Sequence, residues 1–231
     1  MSHGHWMVER EILGQNMLFN MDTLVTMWAA MGFLLLMAFL ATRKLSIFPT
    51  KLQLVFEGIL GYFDNLINGM IHHGGRQHFP LIASLFLFIV TANLMGQLPL
   101  KIFELKQGEI ASPTNDINLT AGLAIIVLVY YVTVGVIKKK EKFLLHEISF
   151  VGIISMLVEI LELFTRPLTL ALRLFGNILA GEILITALLG LCAWGLPLPI
   201  MFFEILVACV QALVFTMLTT VYIATAVNEN H

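Results

Sequence analysis

Apolar and polar positions along this chain are patterned on two scales. The coarse scale is a series of uncharged runs: Thr23–Thr42, Phe79–Leu100, Ile117–Ile137, Ile183–Phe203 and Ile205–Asn228. Runs of about 20 apolar residues cross the hydrocarbon of a bilayer as helices, which pair all their own backbone groups there. The first three predict upright spans at 23–42, 79–100 and 117–137. Pro99 and the loop from Lys101 to Asn115 separate the second from the third, and Ser112-Pro113-Thr114-Asn115 is a turn-rich entry.

The finer scale appears at 50–70. Leu52, Val55, Phe56, Ile59, Leu60, Phe63, Leu66, Ile67 and Met70 recur at three- and four-residue steps, while Lys51, Gln53, Glu57, Asp64, Asn65 and Asn68 fill the other side. This predicts an amphipathic helix started at Pro49. It lies along the membrane surface or against a partner helix rather than crossing.

The last third does not fit upright spans. Between Glu147 and Leu191 the one strong breaker is Pro167. A helix over about 45 residues would be roughly 65 Å long, against about 30 Å of hydrocarbon. Either it breaks or it leans far over. Leu196-Pro197-Leu198-Pro199 then turns the chain into a second long helix. The fold class expected is an all-α integral membrane protein with about five membrane helices and one amphipathic helix. Its last two helices, 147–195 and 199–228, form a long, strongly tilted hairpin, and 1–22 is an outer N-terminal segment.

Composition agrees with a bilayer as solvent. Hydrophobic residues make up 58% of the 231 and charged residues 12%, about half the roughly 25% usual for a soluble domain. The mean hydropathy is +0.89. With 13 basic and 15 acidic residues there is no basic surface for nucleic acid. Residues 1–20 are mixed and polar, which predicts neither a cleavable signal nor a transit peptide and favours a bacterial plasma membrane. Arg43, Lys44, Lys51 and Arg76 lie between the first two spans, and Lys138, Lys139, Lys140 and Lys142 follow the third. Basic loops stay in the cytoplasm, so the N-terminus is expected outside and the C-terminus inside. Cys192 and Cys209 read as buried small hydrophobes. His3, His5, His72, His73 and His78 read as solvated loop histidines, with no metal site.

Against this background the charges in the hairpin stand out: Glu159, Glu162, Arg166, Arg173 and Glu182 on the first arm and Glu204 on the second. Each costs about 2.5–3.5 kcal/mol at a helix centre, so the first reading is an ion path. At about 100° per residue, Glu159, Glu162, Arg166, Arg173, Asn177 and Ala180 fall within about 40° of one line. Glu162 precedes Arg166 by four positions, the favourable order for a helical ion pair, which reads as a structural pair beside Pro167. Arg173 has no acid at three or four steps, and a guanidinium does not shed its charge. Its counter-charge comes from elsewhere in the fold or from another chain. Within the chain only Glu182 and Glu204 are candidates, and Glu182 faces away, about 180° around the helix. Ala171, Gly176, Ala180 and Gly181 allow a close helix approach, within the chain or from outside. On the second arm Glu204, Gln211, Leu218 and Tyr222 share a stripe. Glu204 and Gln211 facing Glu182 would make a wettable path with a partly desolvated carboxylate suited to proton exchange; a hydrogen-bonded buried cluster is the alternative.

The block Arg166-Pro-Leu-Thr-Leu-Ala-Leu-Arg-Leu-Phe-Gly-Asn-Ile-Leu-Ala-Gly-Glu182 resembles subunit a of the F-type ATP synthase, and Arg173–Asn177 within it is that family's most specific signature. The segment Gln211–Ile223 is similar to the family's last helix, and Pro113–Asn118 to the entry of its third full span. The resemblance runs from about Asp22 to the C-terminus and is strongest in the last 70 residues. It implies a non-catalytic, ion-translocating stator subunit with two offset half-channels. Arg173 would match the essential stator arginine that faces the carboxylate of each passing c-ring subunit. Asn177, Glu182, Glu204 and Gln211 would line the half-channel open to the outside, with Asp116 and Asn118 near its mouth. Release would occur near Glu159 and Glu162. Some family members carry histidine where this chain has Glu204. Implied partners are the c-subunit ring, peripheral-stalk b subunits and the remaining synthase subunits, in a lipid bilayer, with no cofactor. Protons are the expected ion and sodium the alternative. A carboxylate-relay secondary transporter is a rival reading, but the internal repeats common in such folds are not visible here.

Overall fold

A computed structural model describes residues 7–12, 15–43, 49–71, 74–97, 113–139, 150–191 and 197–228. Six helices follow a short hairpin: α1 (Met21–Thr42), α2 (Lys51–Met70), α3 (Phe79–Gln97), α4 (Ile117–Lys139), α5 (Phe150–Leu191) and α6 (Pro197–Val227). Short 3₁₀ turns, Gly75–Gln77 and Pro113–Asn115, precede α3 and α4. Five helices, all but α2, are long and apolar enough to cross a membrane.

The hairpin is an addition to the expected all-helical chain. Strands β1 (Met7–Ile12) and β2 (Gln15–Asn20) pair antiparallel, from Met7 opposite Asn20 to Ile12 opposite Gln15. Six-residue strands, one of them carrying Glu9, Arg10 and Glu11, hold too few apolar positions for a period-two pattern to show.

Helix boundaries follow local chemistry. Thr50 caps α2, its hydroxyl accepting from the Gln53 N–H at 3.4 Å. Gly74 opens the 3₁₀ turn Gly75–Gln77 at φ 80°, a left-handed conformation open to glycine. Asp116 caps α4, its carboxylate accepting from the Asn118 N–H at 2.9 Å. Pro197 and Pro199 stand in the first turn of α6, where a missing N–H leaves no bond unmade. The 42-residue α5 is continuous through Pro167. At about 1.5 Å per residue it is roughly 63 Å long, about twice the roughly 30 Å of hydrocarbon.

Two apolar clusters hold the bundle. One joins α3, α4, α5 and α6 through Ile89, Val127, Leu170, Leu174 and Phe215. The other seats α2 on α3 and α6 through Phe63, Ile67, Ile82 and Ile223. The predicted amphipathic face of α2 is therefore used internally at its C-terminal half, whereas Val55 points outward and is exposed. Elsewhere the pattern of a soluble protein is inverted. Leu35 of α1 is 71% exposed and Phe202 of α6 is 73% exposed. Buried threonines of α6 return their hydroxyls to the helix: Thr216 to the Ala212 carbonyl, Thr219 to Phe215 and Thr220 to Thr216.

Candidate functional site

Helix α5 has two faces set by its sequence. Leu170, Ala171, Leu174 and Ile178 are buried against the bundle, while Arg173, Gly176, Asn177 and Ala180 form an exposed stripe along one flank of that face. The Arg173 guanidinium is thus presented on the outer face of the bundle. It makes no ion pair or hydrogen bond with any described residue.

Two turns earlier, Arg166 is in the opposite condition. It forms the expected ion pair with Glu162. Its guanidinium also lies over two rings, 5.0 Å from the Tyr222 centroid on α6 and 5.9 Å from that of Tyr131 on α4. Spacing along one helix shows the pair; the rings come from two other helices and were not predicted. Glu159 lies on the same helix, and its side chain is outside the described residues.

The second arm meets α5 in antiparallel order. Asn177 Nδ2 donates to Gln211 Oε1 at 2.7 Å. Gln211 is buried, and its Nε2 has no acceptor among the described residues. Glu204 is also buried, at 8% exposed, and its carboxylate lies over Gly181. A Cβ on Gly181 would collide with Glu204 Oε1 and come within 2.8 Å of its Cδ, so a larger residue there would force the Glu204 carboxylate to move. The hairpin brings Asn177, Gly181, Glu204 and Gln211 into one polar seam. Glu182 follows Gly181 on α5, with its side chain outside the described residues.

A network not anticipated from sequence supports this seam. Asn93 of α3 is fully buried; its Nδ2 donates to the Ala208 carbonyl of α6 at 3.2 Å, and its Oδ1 accepts from the Thr114 hydroxyl at 2.8 Å. Ala208 lies between Glu204 and Gln211. A lone asparagine in an otherwise uncharged span was the available signal.

Asp116 and Asn118 stand apart from the seam, at the start of α4. Asp116 Oδ1 accepts from the Asn118 side chain at 3.0 Å, and Oδ2 accepts from the Thr23 hydroxyl at 2.9 Å and Asn20 Nδ2 at 3.4 Å. Thr114 in the preceding turn links this end of α4 to Asn93.

Two expectations are corrected. His78 is buried, not solvated, and its Nδ1 meets the Tyr130 hydroxyl at 2.9 Å. It stands at the entry of α3, where packing against α4 draws it out of water. His3, His5, His72 and His73 lie outside the described residues. Cys209 is free and exposed on the outer side of α6, where an apolar thiol suits hydrocarbon as well as a core; Cys192 lies outside the described residues. Among the described residues no cluster of histidine, cysteine and carboxylate side chains is arranged to hold a metal.

Comparison with known proteins places this geometry. The family model described as ATP synthase A chain matches residues 24–224. The ATP synthase subunit a of Gloeobacter violaceus is 41% identical over 212 residues, covering 90% of this chain and 85% of that protein. The match includes the arginine-bearing helix, the polar seam and the mouth of α4. The chain belongs to the ATP synthase A chain family, the multi-pass membrane subunits a of ATP synthases.

Proposed function

We propose that the chain is the ion-translocating stator of a rotary ATP synthase in a bacterial plasma membrane, with its N-terminus outside and its C-terminus in the cytoplasm. The reading rests on one observation above all. Arg173 is a permanent cation on the outward face of a membrane helix, without a described partner. The polar seam of Asn177, Glu204 and Gln211 begins one turn away. An intramembrane charge of this kind belongs to an ion path.

Protons enter from outside past Asp116 and Asn118, and pass Glu182, Glu204, Gln211 and Asn177 to neutralise a carboxylate on the c-ring. The neutral site then turns through lipid. On return it releases its proton towards the cytoplasm near Glu159 and Glu162. Arg173 attracts only the ionised site, so it holds the carboxylate without a fixed bond and blocks a direct leak between the two half-channels. The peripheral-stalk b subunits hold the stator still while the ring moves.

Reconstituted complexes carrying Arg173→Ala test this. ATP synthesis driven by an ion gradient is expected to be lost, while ATP hydrolysis by the detached head survives. Normal coupled synthesis in that variant overturns the assignment. Protection of the ring carboxylate from a carbodiimide by sodium would change the ion from proton to sodium.

A further inference from the structure

The start of α1 sends its polar side chains away from its own helix. Asn20 holds the N-cap position, where an asparagine ordinarily accepts a backbone N–H of the first turn. Its side chain makes no such bond. Its Nδ2 donates instead to Asp116 Oδ2 at 3.4 Å, 96 positions away. Thr23 behaves in the same way. One turn on, Thr26 returns its hydroxyl to the Asp22 carbonyl, as helical threonines do. The Thr23 hydroxyl crosses to the same Asp116 oxygen at 2.9 Å.

Asp116 is held from its own side as well. Its Oδ1 accepts from the Asn118 N–H at 2.9 Å and from Asn118 Nδ2 at 3.0 Å, which fixes it as the cap of α4. In the turn before it, Thr114 donates to the buried Asn93 of α3 at 2.8 Å, so that turn is anchored in the bundle. Four donors thus meet the two carboxylate oxygens, about as many as a carboxylate accepts. A proton taken up on either oxygen would turn an acceptor into a donor and break one of these bonds. The group is arranged to hold its neighbours in place.

The tie matters because α1 stands at the margin of the bundle. It is the least buried of the five crossing helices described. In hydrocarbon, apolar faces gain no hydrophobic attraction for one another, so packing and interhelical hydrogen bonds hold helices together. A cleft of about 1190 Å³ runs on from the tie, with Met27 and Met31 of α1 on one wall and Gly122 and Ile126 of α4 on another. Asp116 therefore bridges α1 and α4 at the end where both helices begin. We propose that Asp116, Thr23 and Asn20 form a clamp that sets the position of α1 at the ion entrance. Asp116 is a positioning residue there and not a carrier. The effect on transport rests on the ion-path reading proposed above; the clamp itself does not.

The test uses whole synthase complexes carrying Thr23→Val, Thr23→Ser or Asp116→Asn, reconstituted into vesicles. ATP synthesis driven by an ion gradient is followed against the pH of the entry side, and hydrogen–deuterium exchange is followed over residues 15–30. Thr23→Val removes the hydroxyl and keeps the shape. It should slow synthesis several-fold, by the same factor at every pH, and speed exchange at the start of α1. Thr23→Ser restores the hydroxyl and should return both readouts to wild type. Asp116→Asn keeps one oxygen for the cap of α4 and turns the other into a donor facing Thr23. It should match Thr23→Val, and the two changes together should be no slower than either alone. Loss of synthesis in Asp116→Asn alone, or a pH profile displaced rather than scaled, makes the carboxylate a carrier and overturns the proposal. Wild-type synthesis or wild-type exchange in Thr23→Val overturns it as well. If Asp116→Asn does not assemble, the two Thr23 variants decide. Coupled synthesis surviving in Arg173→Ala would sink the ion-path reading instead, and the exchange comparison would still judge the clamp.

Discussion

Asn177 on α5 and Gln211 on α6 are joined by a single hydrogen bond of 2.7 Å across 34 residues of sequence. Gln211 is buried, so cutting the bond from the Asn177 side leaves its amide without water. A satisfied neutral bond contributes about 0.5–1.5 kcal/mol net, whereas a stranded buried group costs about 1–3 kcal/mol. Asn177→Leu is therefore expected to lower the melting temperature of the complex and slow ion-driven synthesis. Gln211→Leu in the same chain should add less than its own separate effect. Additivity within about 0.3–0.5 kcal/mol in a double-mutant cycle on stability would show that the bond carries no coupling.

Gly181 and Glu204 make a second paired prediction. Gly181→Ala drives a methyl into the carboxylate and should cut transport sharply. Gly190→Ala on the same helix is its control, because an added Cβ there meets nothing within 4 Å. Glu204→Gln keeps the shape and removes the charge, so passive ion flow through the membrane sector should slow while assembly survives. Unchanged flow would make Glu204 a packing residue.

Arg166 is held by Glu162, Tyr131 and Tyr222 together. Arg166→Leu removes every one of these contacts. Arg166→Lys keeps the charge but loses the planar face that stacks on the rings. Cation–π contacts at exposed sites contribute about 0.5–1 kcal/mol, so Lys should melt between wild type and Leu. A Lys variant as stable as wild type would show that stacking contributes nothing.

The buried contact between His78 and Tyr130 ties the entry of α3 to α4. Tyr130→Phe removes the hydroxyl that the buried imidazole Nδ1 meets, and losing a hydrogen bond of this kind costs about 0.5–1.5 kcal/mol. Thermal unfolding of the assembled complex should register that loss. The combined change with His78→Phe should recover part of it.

What could be read from sequence was what a periodic pattern or a misplaced charge reveals. Uncharged runs gave α1, α3, α4 and most of α6, and the three- and four-residue steps of 50–70 gave α2; the run Ile183–Phe203 instead straddles the end of α5 and the start of α6, because the apolar part of α5 also carries Arg166, Arg173 and Glu182. The pair of Glu162 and Arg166 is local, so helical spacing alone found it. Arg173 was visible because nothing nearby in sequence balances it. Contacts between helices were less legible. Asn93 reaches Ala208 across 115 positions, and an asparagine leaves no mark in a count of charges. The fit of Glu204 over Gly181 depends on which faces of the hairpin meet, and no property of either residue alone records it. His78 was misread for the same reason, since its burial comes from Tyr130, more than fifty residues later.

Beside the stripe that bears Arg173, α5 exposes a second, apolar stripe of Leu161, Phe164, Leu168 and Leu172. On the reading proposed above, that stripe is a bearing. Oily side chains hold a passing surface through contacts with no preferred registry, so a neighbour gliding over them meets shallow ripples in energy rather than locked steps. The same helix thereby supplies both lubrication and a catch: a smooth track along most of its length, with one fixed positive charge at which an ionised traveller pauses.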